Sequence, residues 1–332
     1  MTSRSDPIET ASDGDRDLYD VATWDPRTLL DKVSVWIYWL LTRGAKVFVV
    51  ALAFLILLSL GLLSTISDPA IGTLTVLSAI PALALTGYVW HSDVETSEPL
   101  PLLVATFLLS ILTATFAAII NSVLRGAFPA STLGTLAFFF LIVGPVEESV
   151  KLLAVRLYAY TDRRFNAVID GAVYGAVAGL GFATIENALY ISQQVDAAEL
   201  GLGFALIAAG EGITALRALA GPGHVIYSAF AGYYLGLAKF NPGERGPIVI
   251  KGILIAALIH ATYNSTVGIG SGLIGVVTGL GSLTSFLVYV LLFDGLFGLI
   301  LLRKIWRYRD TYREVHAEVD EDVRPELTEF EQ

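Results

Sequence analysis

The sequence predicts an all-α fold: a polytopic transmembrane helix bundle of about eight crossings, with nine as the alternative, and an N-terminal interfacial amphipathic helix. Three observations predict it. Hydrophobic residues make up 55% of the 332 residues and charged residues only 16%. Several apolar runs reach about 20 residues, the length of helix that crosses a hydrocarbon core, where backbone polar groups must be satisfied internally. Lysine and arginine collect in particular links between the runs, as they do on the cytoplasmic face of membrane proteins.

Residues 1–24 are polar and acidic and are expected to be a disordered tail, with no cleavable signal peptide. Asp25-Pro26 reads as a helix start, and Leu29, Leu30, Val33, Trp36, Ile37 and Leu40 then fall on one side. Residues 25–43 are therefore expected to lie in the interface, with Trp24, Trp36 and Trp39 at headgroup depth. The alternative is that this segment extends the first span. The transmembrane domain is expected over 44–303, with a charged cytoplasmic tail at 304–332.

Within that domain the apolar runs are 45–66, 70–90, 100–122, 132–160, 167–192, 202–220, 222–240, 247–268 and 272–302. If 202–220 does not cross, the basic clusters around Lys46, Arg163, Lys251 and Arg307 all fall inside, and both termini are cytoplasmic. That segment is expected to be re-entrant or interfacial, and Glu211 and Arg217 within it argue against a lipid-facing span. A ninth, buried helix is the alternative. Gly171, Gly175 and Gly179, four apart, make a stripe suited to close helix packing inside the bundle.

Composition also excludes. There is no cysteine, so disulfides, thiolate metal sites and cysteine catalysis are ruled out. The net charge of −10 argues against nucleic-acid binding. A multi-pass protein of a cell membrane remains, with the lipid bilayer as its solvent.

The chemistry lies in polar residues inside apolar runs. Glu147, Glu148 and Lys151 interrupt the run at 132–160, directly after Gly144-Pro145. Proline fits a first helical position, so a new helix is expected to start at Pro145 with the carboxylates in its first turn. Glu186-Asn187, His224, and the pair His260 and Asn264 on one helical face interrupt three further runs. Each has a bland reading: an ion pair locking two helices, an interhelical hydrogen bond, or a polar pair pinning Arg217. Under the eight-crossing topology, however, Glu147, Glu148, Glu186, His224, His260 and Asn264 converge in the outer half of the bilayer. Asp170 and Asp294 read as packing or end-of-span residues.

Carboxylates, two imidazoles and an amide in one pocket suit peptide hydrolysis. A glutamate deprotonates water, a histidine protonates the leaving amine, and an amide or imidazole N–H steadies the oxyanion. The same atoms could hold a divalent metal such as Zn2+, with Glu148, His224 and His260 as ligands. No His-Glu-x-x-His, Gly-x-Gly-Asp or Gly-x-Ser-x-Gly arrangement is present. A proton-coupled transporter and a non-catalytic scaffold are the alternatives, although no second copy of the Glu-Glu block supports a two-halved carrier.

Four ordered blocks between residues 130 and 270 carry a resemblance: Glu147-Glu148-x-x-Lys151, Phe182 to Tyr190 with Glu186-Asn187, Pro222-Gly223-His224, and His260-x-x-x-Asn264. Together they resemble the PrsW family of intramembrane proteases, which is similar to the wider superfamily of CAAX prenyl proteases. The resemblance implies that Glu147, Glu148 and His224 are needed for activity, and that His260 and Asn264 form the superfamily's last motif. Lys151, Glu186 and Asn187 are expected to support them. It further implies a membrane-anchored regulatory protein as substrate, cut on the extracytoplasmic side, by a mechanism that is either metal-dependent or glutamate-dependent without a cofactor.

Overall fold

The computed structural model describes residues 17–20, 22–92, 98–195 and 211–322. Among them there is no strand beyond an isolated bridge between Tyr19 and Thr23. The α-helices are α1 (Leu29–Ser59), α2 (Leu62–Ser67), α3 (Pro69–His91), α4 (Leu100–Arg125), α5 (Thr132–Phe138), α6 (Gly144–Leu157), α7 (Val168–Gln194), α8 (Glu211–Phe240), α9 (Arg245–Thr278) and α10 (Ser282–Asp322). Helices α1, α3, α4, α7, α9 and α10 are long and apolar enough to cross a membrane. The broken rod α5–α6 and the helix α8 bring the long helical segments among the described residues to eight, and these two carry Glu147, Glu148, Lys151, Arg217 and His224.

Two compact units divide the chain, Met1–Leu52 and Ala53–Gln332. In the first, the start of α1 is capped reciprocally. The Asp31 carboxylate accepts from the Thr28 N–H at 2.7 Å, and the Thr28 hydroxyl accepts from the Asp31 N–H at 3.2 Å. No break separates the expected interfacial helix from the first span. Gly44 lies inside one continuous helix, where glycine costs only about 1 kcal/mol against alanine.

In the second unit, α7 is the central rod, with almost every side chain along its apolar stretch buried. Helices α3, α4, α6 and α8 pack around it. The glycine stripe does the work expected of it: a Cβ on Gly175 would lie 2.3 Å from the Ser228 carbonyl oxygen, and one on Gly179 would lie 2.4 Å from that of His224. Helix α8 answers with its own Gly232, whose Cβ would fall 2.0 Å from the Gly171 carbonyl oxygen. Two backbones thus run in contact, which fixes the height of His224 against Glu186. Likewise a Cβ on Gly144 would meet the Ala257 carbonyl oxygen at 2.6 Å, so α6 sits tight against α9 just before the paired glutamates.

Three boundaries differ from the sequence expectation. Pro145 does not follow a free helix end. A π turn, Phe139–Val143, leads directly into α6, and the Gly144 N–H donates to the Phe139 carbonyl five residues back. Widening the turn accommodates a proline that cannot donate to the carbonyl four residues before it. The carboxylates therefore do not rest on a free N-terminus. Next, residues 211–220 are not a separate segment from 222–240. They form one helix through Pro222, and residues 202–210 of the expected re-entrant stretch lie outside the described residues. Finally, α9 runs past Gly268, Gly270 and Gly272 and stops only at Gly279, whose left-handed φ of 73° ends it.

Candidate active site

Four helices supply the site: α6 with Glu147, Glu148 and Lys151, α7 with Glu186 and Asn187, α8 with Arg217 and His224, and α9 with His260 and Asn264. Glu148 is completely buried. Its Oε1 accepts from Lys151 Nζ at 2.6 Å and lies 2.9 Å from His260 Nδ1, while its Oε2 accepts from the Ser228 hydroxyl at 3.3 Å. Lys151 is buried too. Its ammonium reaches His224 Nδ1 at 3.0 Å and lies 4.4 Å from the centre of the Phe182 ring.

These contacts set the tautomers. Lys151 has only protons to offer, so His224 Nδ1 accepts, and His224 Nε2–H then points at Glu186 Oε2, 3.0 Å away. His260 Nδ1–H donates to Glu148, which leaves Nε2 with a free lone pair, 3.6 Å from Glu147 Oε2. The Arg217 guanidinium pairs with Glu186 and donates from Nε to Asn187 Oδ1 at 2.8 Å; Asn187 in turn donates to the Ser78 hydroxyl at 2.9 Å.

Among the glutamates of the site, charge counting singles out one. Three buried or half-buried carboxylates, on Glu147, Glu148 and Glu186, meet two cations: Lys151 takes Glu148 and Arg217 takes Glu186. Glu147 has no cation. Its Oε1 accepts from Asn121 Nδ2 at 3.0 Å, and its Oε2 is buried with no hydrogen-bond partner among the described residues. Glu147 lines a cavity of 340 Å³ together with Glu186, Arg217, His224, His260 and Asn264. A second cavity of 280 Å³, toward α4, shares Asn121, Glu147, Glu186 and Tyr190 with the first.

A family model described as PrsW family intramembrane metalloprotease matches residues 98–296. The chain belongs to the PrsW family. The match is wider than the blocks at 130–270 and takes in α4, whose Asn121 had no place in the sequence reading. Curated relatives named Protease PrsW include one from Geobacillus kaustophilus, 31% identical over 188 residues, covering 55% of this chain and 75% of the relative. Another, from Bacillus subtilis, is 30% identical over 188 residues, covering 55% and 78%. A third, from Shouchella clausii, is 29% identical over 193 residues, covering 57% and 81%. No solved structure matches. The protein is thus a multi-pass intramembrane protease of the PrsW family, and the transporter and scaffold alternatives are left without support.

The expected residues of this PrsW site all gather at the cavity or one bond behind it. Glu148, Lys151 and Asn187 are the ones set back, and Glu148 has both oxygens engaged. As a donor group for a metal, the geometry therefore substitutes Glu147 for the expected Glu148. One atom each from Glu147, His224 and His260 lie within 4.8 Å of one another. The partnerless Glu147 oxygen and the free His260 Nε2 suit a cation, with Glu148 behind His260 in the manner of an outer-shell carboxylate; His224 Nε2 would have to leave Glu186.

Sequence reasoning missed Asn121, Tyr227 and Ser228, while Asp294, read as a packing or end-of-span residue, is buried behind Tyr227. Tyr227 stacks on His260 with ring centres 5.4 Å apart and donates its hydroxyl to Asp294 Oδ1 at 3.1 Å. The available signal was helical spacing, since Tyr227 and Ser228 lie three and four residues after His224.

Proposed function

We propose that the protein hydrolyses a peptide bond in a membrane-anchored protein, with Glu147 as the general base. The observation that carries this reading is the buried Glu147 oxygen that has no hydrogen-bond partner among the described residues, on a side chain lining the cavity, while the carboxylates of Glu148 and Glu186 are paired with cations. Water bound there gives one proton to Glu147 as its oxygen adds to the scissile carbonyl carbon. His260 Nε2, 3.6 Å from Glu147 and held in register by Glu148, passes that proton to the amide nitrogen as the C–N bond breaks. The Asn264 amide is the donor for the oxyanion, and the His224 Nε2–H, fixed from behind by Lys151, joins it on turning from Glu186.

The metal-dependent reading has its own support in the three converging donors. A divalent ion held by Glu147, His224 and His260 would act as a Lewis acid and lower the pKa of its water. In either scheme the basic clusters favour cytoplasmic termini, which puts the cavity in the outer half of the bilayer.

The test is cleavage of a membrane-tethered reporter by reconstituted protein. His224→Ala and His260→Ala should each abolish cleavage while the protein stays inserted. Cleavage surviving in both ends the assignment. Loss of activity on chelation, restored by Zn2+, selects the metal scheme; indifference to chelator selects the glutamate scheme.

A further inference from the structure

A third cavity, of 790 Å³, opens between α8, α9 and α10 at the end of the bundle away from the carboxylates. Along α10 its lining passes from apolar Phe297 and Ile300 to a basic rim of Arg303, Lys304 and Arg307, and α9 adds Ile255 and Leu258. Leu258 and Ile300 are 54% and 43% exposed, so the apolar part opens sideways rather than into a core. In a chain of net charge −10, the three cations are a local reversal of sign. No ion pair among the described residues involves any of them. Lys304 instead lies 4.7 Å and 5.1 Å from the ring centres of Tyr233 and Tyr234, and Lys251 shares the Tyr234 ring at 5.3 Å. Aromatic rings hold the lysines in place without neutralising them.

Cations with no ion-pair partner among the described residues, one helical turn or two from a laterally open apolar slot, match a molecule with an anionic head and a hydrocarbon tail. We propose that this groove binds an anionic phospholipid, with its phosphate on Arg303, Lys304 and Arg307 and the upper part of one acyl chain along Phe297 and Ile300. Basic pockets between transmembrane helices recognise acidic headgroups, and each Lys or Arg near the surface is worth about a fivefold change in binding. A free phosphate would use the rim alone and leave the slot unfilled.

The test is native mass spectrometry of the full chain in detergent, titrated with phosphatidylglycerol, phosphatidylcholine or inorganic phosphate. Phosphatidylglycerol should be retained at concentrations where phosphatidylcholine is not. Arg303→Gln combined with Arg307→Gln should weaken that retention about 25-fold. Ile300→Trp, which fills the slot without touching the charges, should also weaken it and serves if the charge variant does not fold. Equal retention of the two lipids, or unchanged retention in the variants, overturns the proposal. So does displacement of phosphatidylglycerol by equimolar inorganic phosphate, which would mark a free-phosphate site.

Discussion

The two walls that meet at the start of α6 differ in what they leave unsatisfied. On one, Glu148 spends both oxygens on Lys151, His260 and Ser228, and nothing is open to a substrate. On the other, Glu147 lines a cavity and keeps one oxygen without a hydrogen-bond partner among the described residues. One peptide unit apart, the same side chain is a counter-ion in one place and, in the proposed mechanism, the base in the other. The difference teaches that a buried carboxylate is identified by its unpaired atoms and by the local count of cations, and not by burial itself.

That contrast can be broken most severely from the saturated side. Glu148→Gln strands the Lys151 ammonium in a dry interior, which should cost about 3–5 kcal/mol of stability. Replacing both partners, as Glu148→Gln with Lys151→Met, should recover most of that loss but not cleavage, because His260 has lost its anchor. Thermal unfolding of the two variants checks this, and equal instability of single and double variants would refute the counter-ion role. A smaller effect comes from the frame that holds both walls. Gly175→Ala drives a methyl group to 2.3 Å from the Ser228 carbonyl oxygen, so α7 and α8 must part. The expected cost is about 1–3 kcal/mol, together with lower cleavage as His224 moves off Glu186. A Gly175→Ala variant with native stability and activity would show that the close approach does not set the site.

Much of this architecture was legible before the structure. Glu147, Glu148, Glu186, His224, His260 and Asn264 announce themselves because ionisable groups are rare in apolar runs, and they do converge. The pairing of Arg217 with Glu186 and Asn187 and the inward role of the glycine stripe were readable for the same reason. Helix ends were not. In a uniformly apolar sequence, boundaries are set by what the neighbours allow, so Gly268 to Gly272 pass inside α9 while Gly279 stops it. Pro145 was legible as a disturbance, but the π turn that absorbs it depends on backbone hydrogen bonds that no residue pattern encodes. Asn121 escaped because one amide near the end of a span looks like any other interfacial polar residue. Its meaning comes from a glutamate 26 residues away.

The most direct measurement is made on Glu147→Gln, reconstituted beside the wild type, with unfolding temperature and reporter cleavage read on the same sample. The substitution keeps the acceptor for Asn121 and removes only the basicity of the open oxygen. Native unfolding with cleavage reduced by a factor of about 10² to 10⁴ is the predicted result. Cleavage at the wild-type rate, or a loss of stability as large as that of Glu148→Gln, would contradict it.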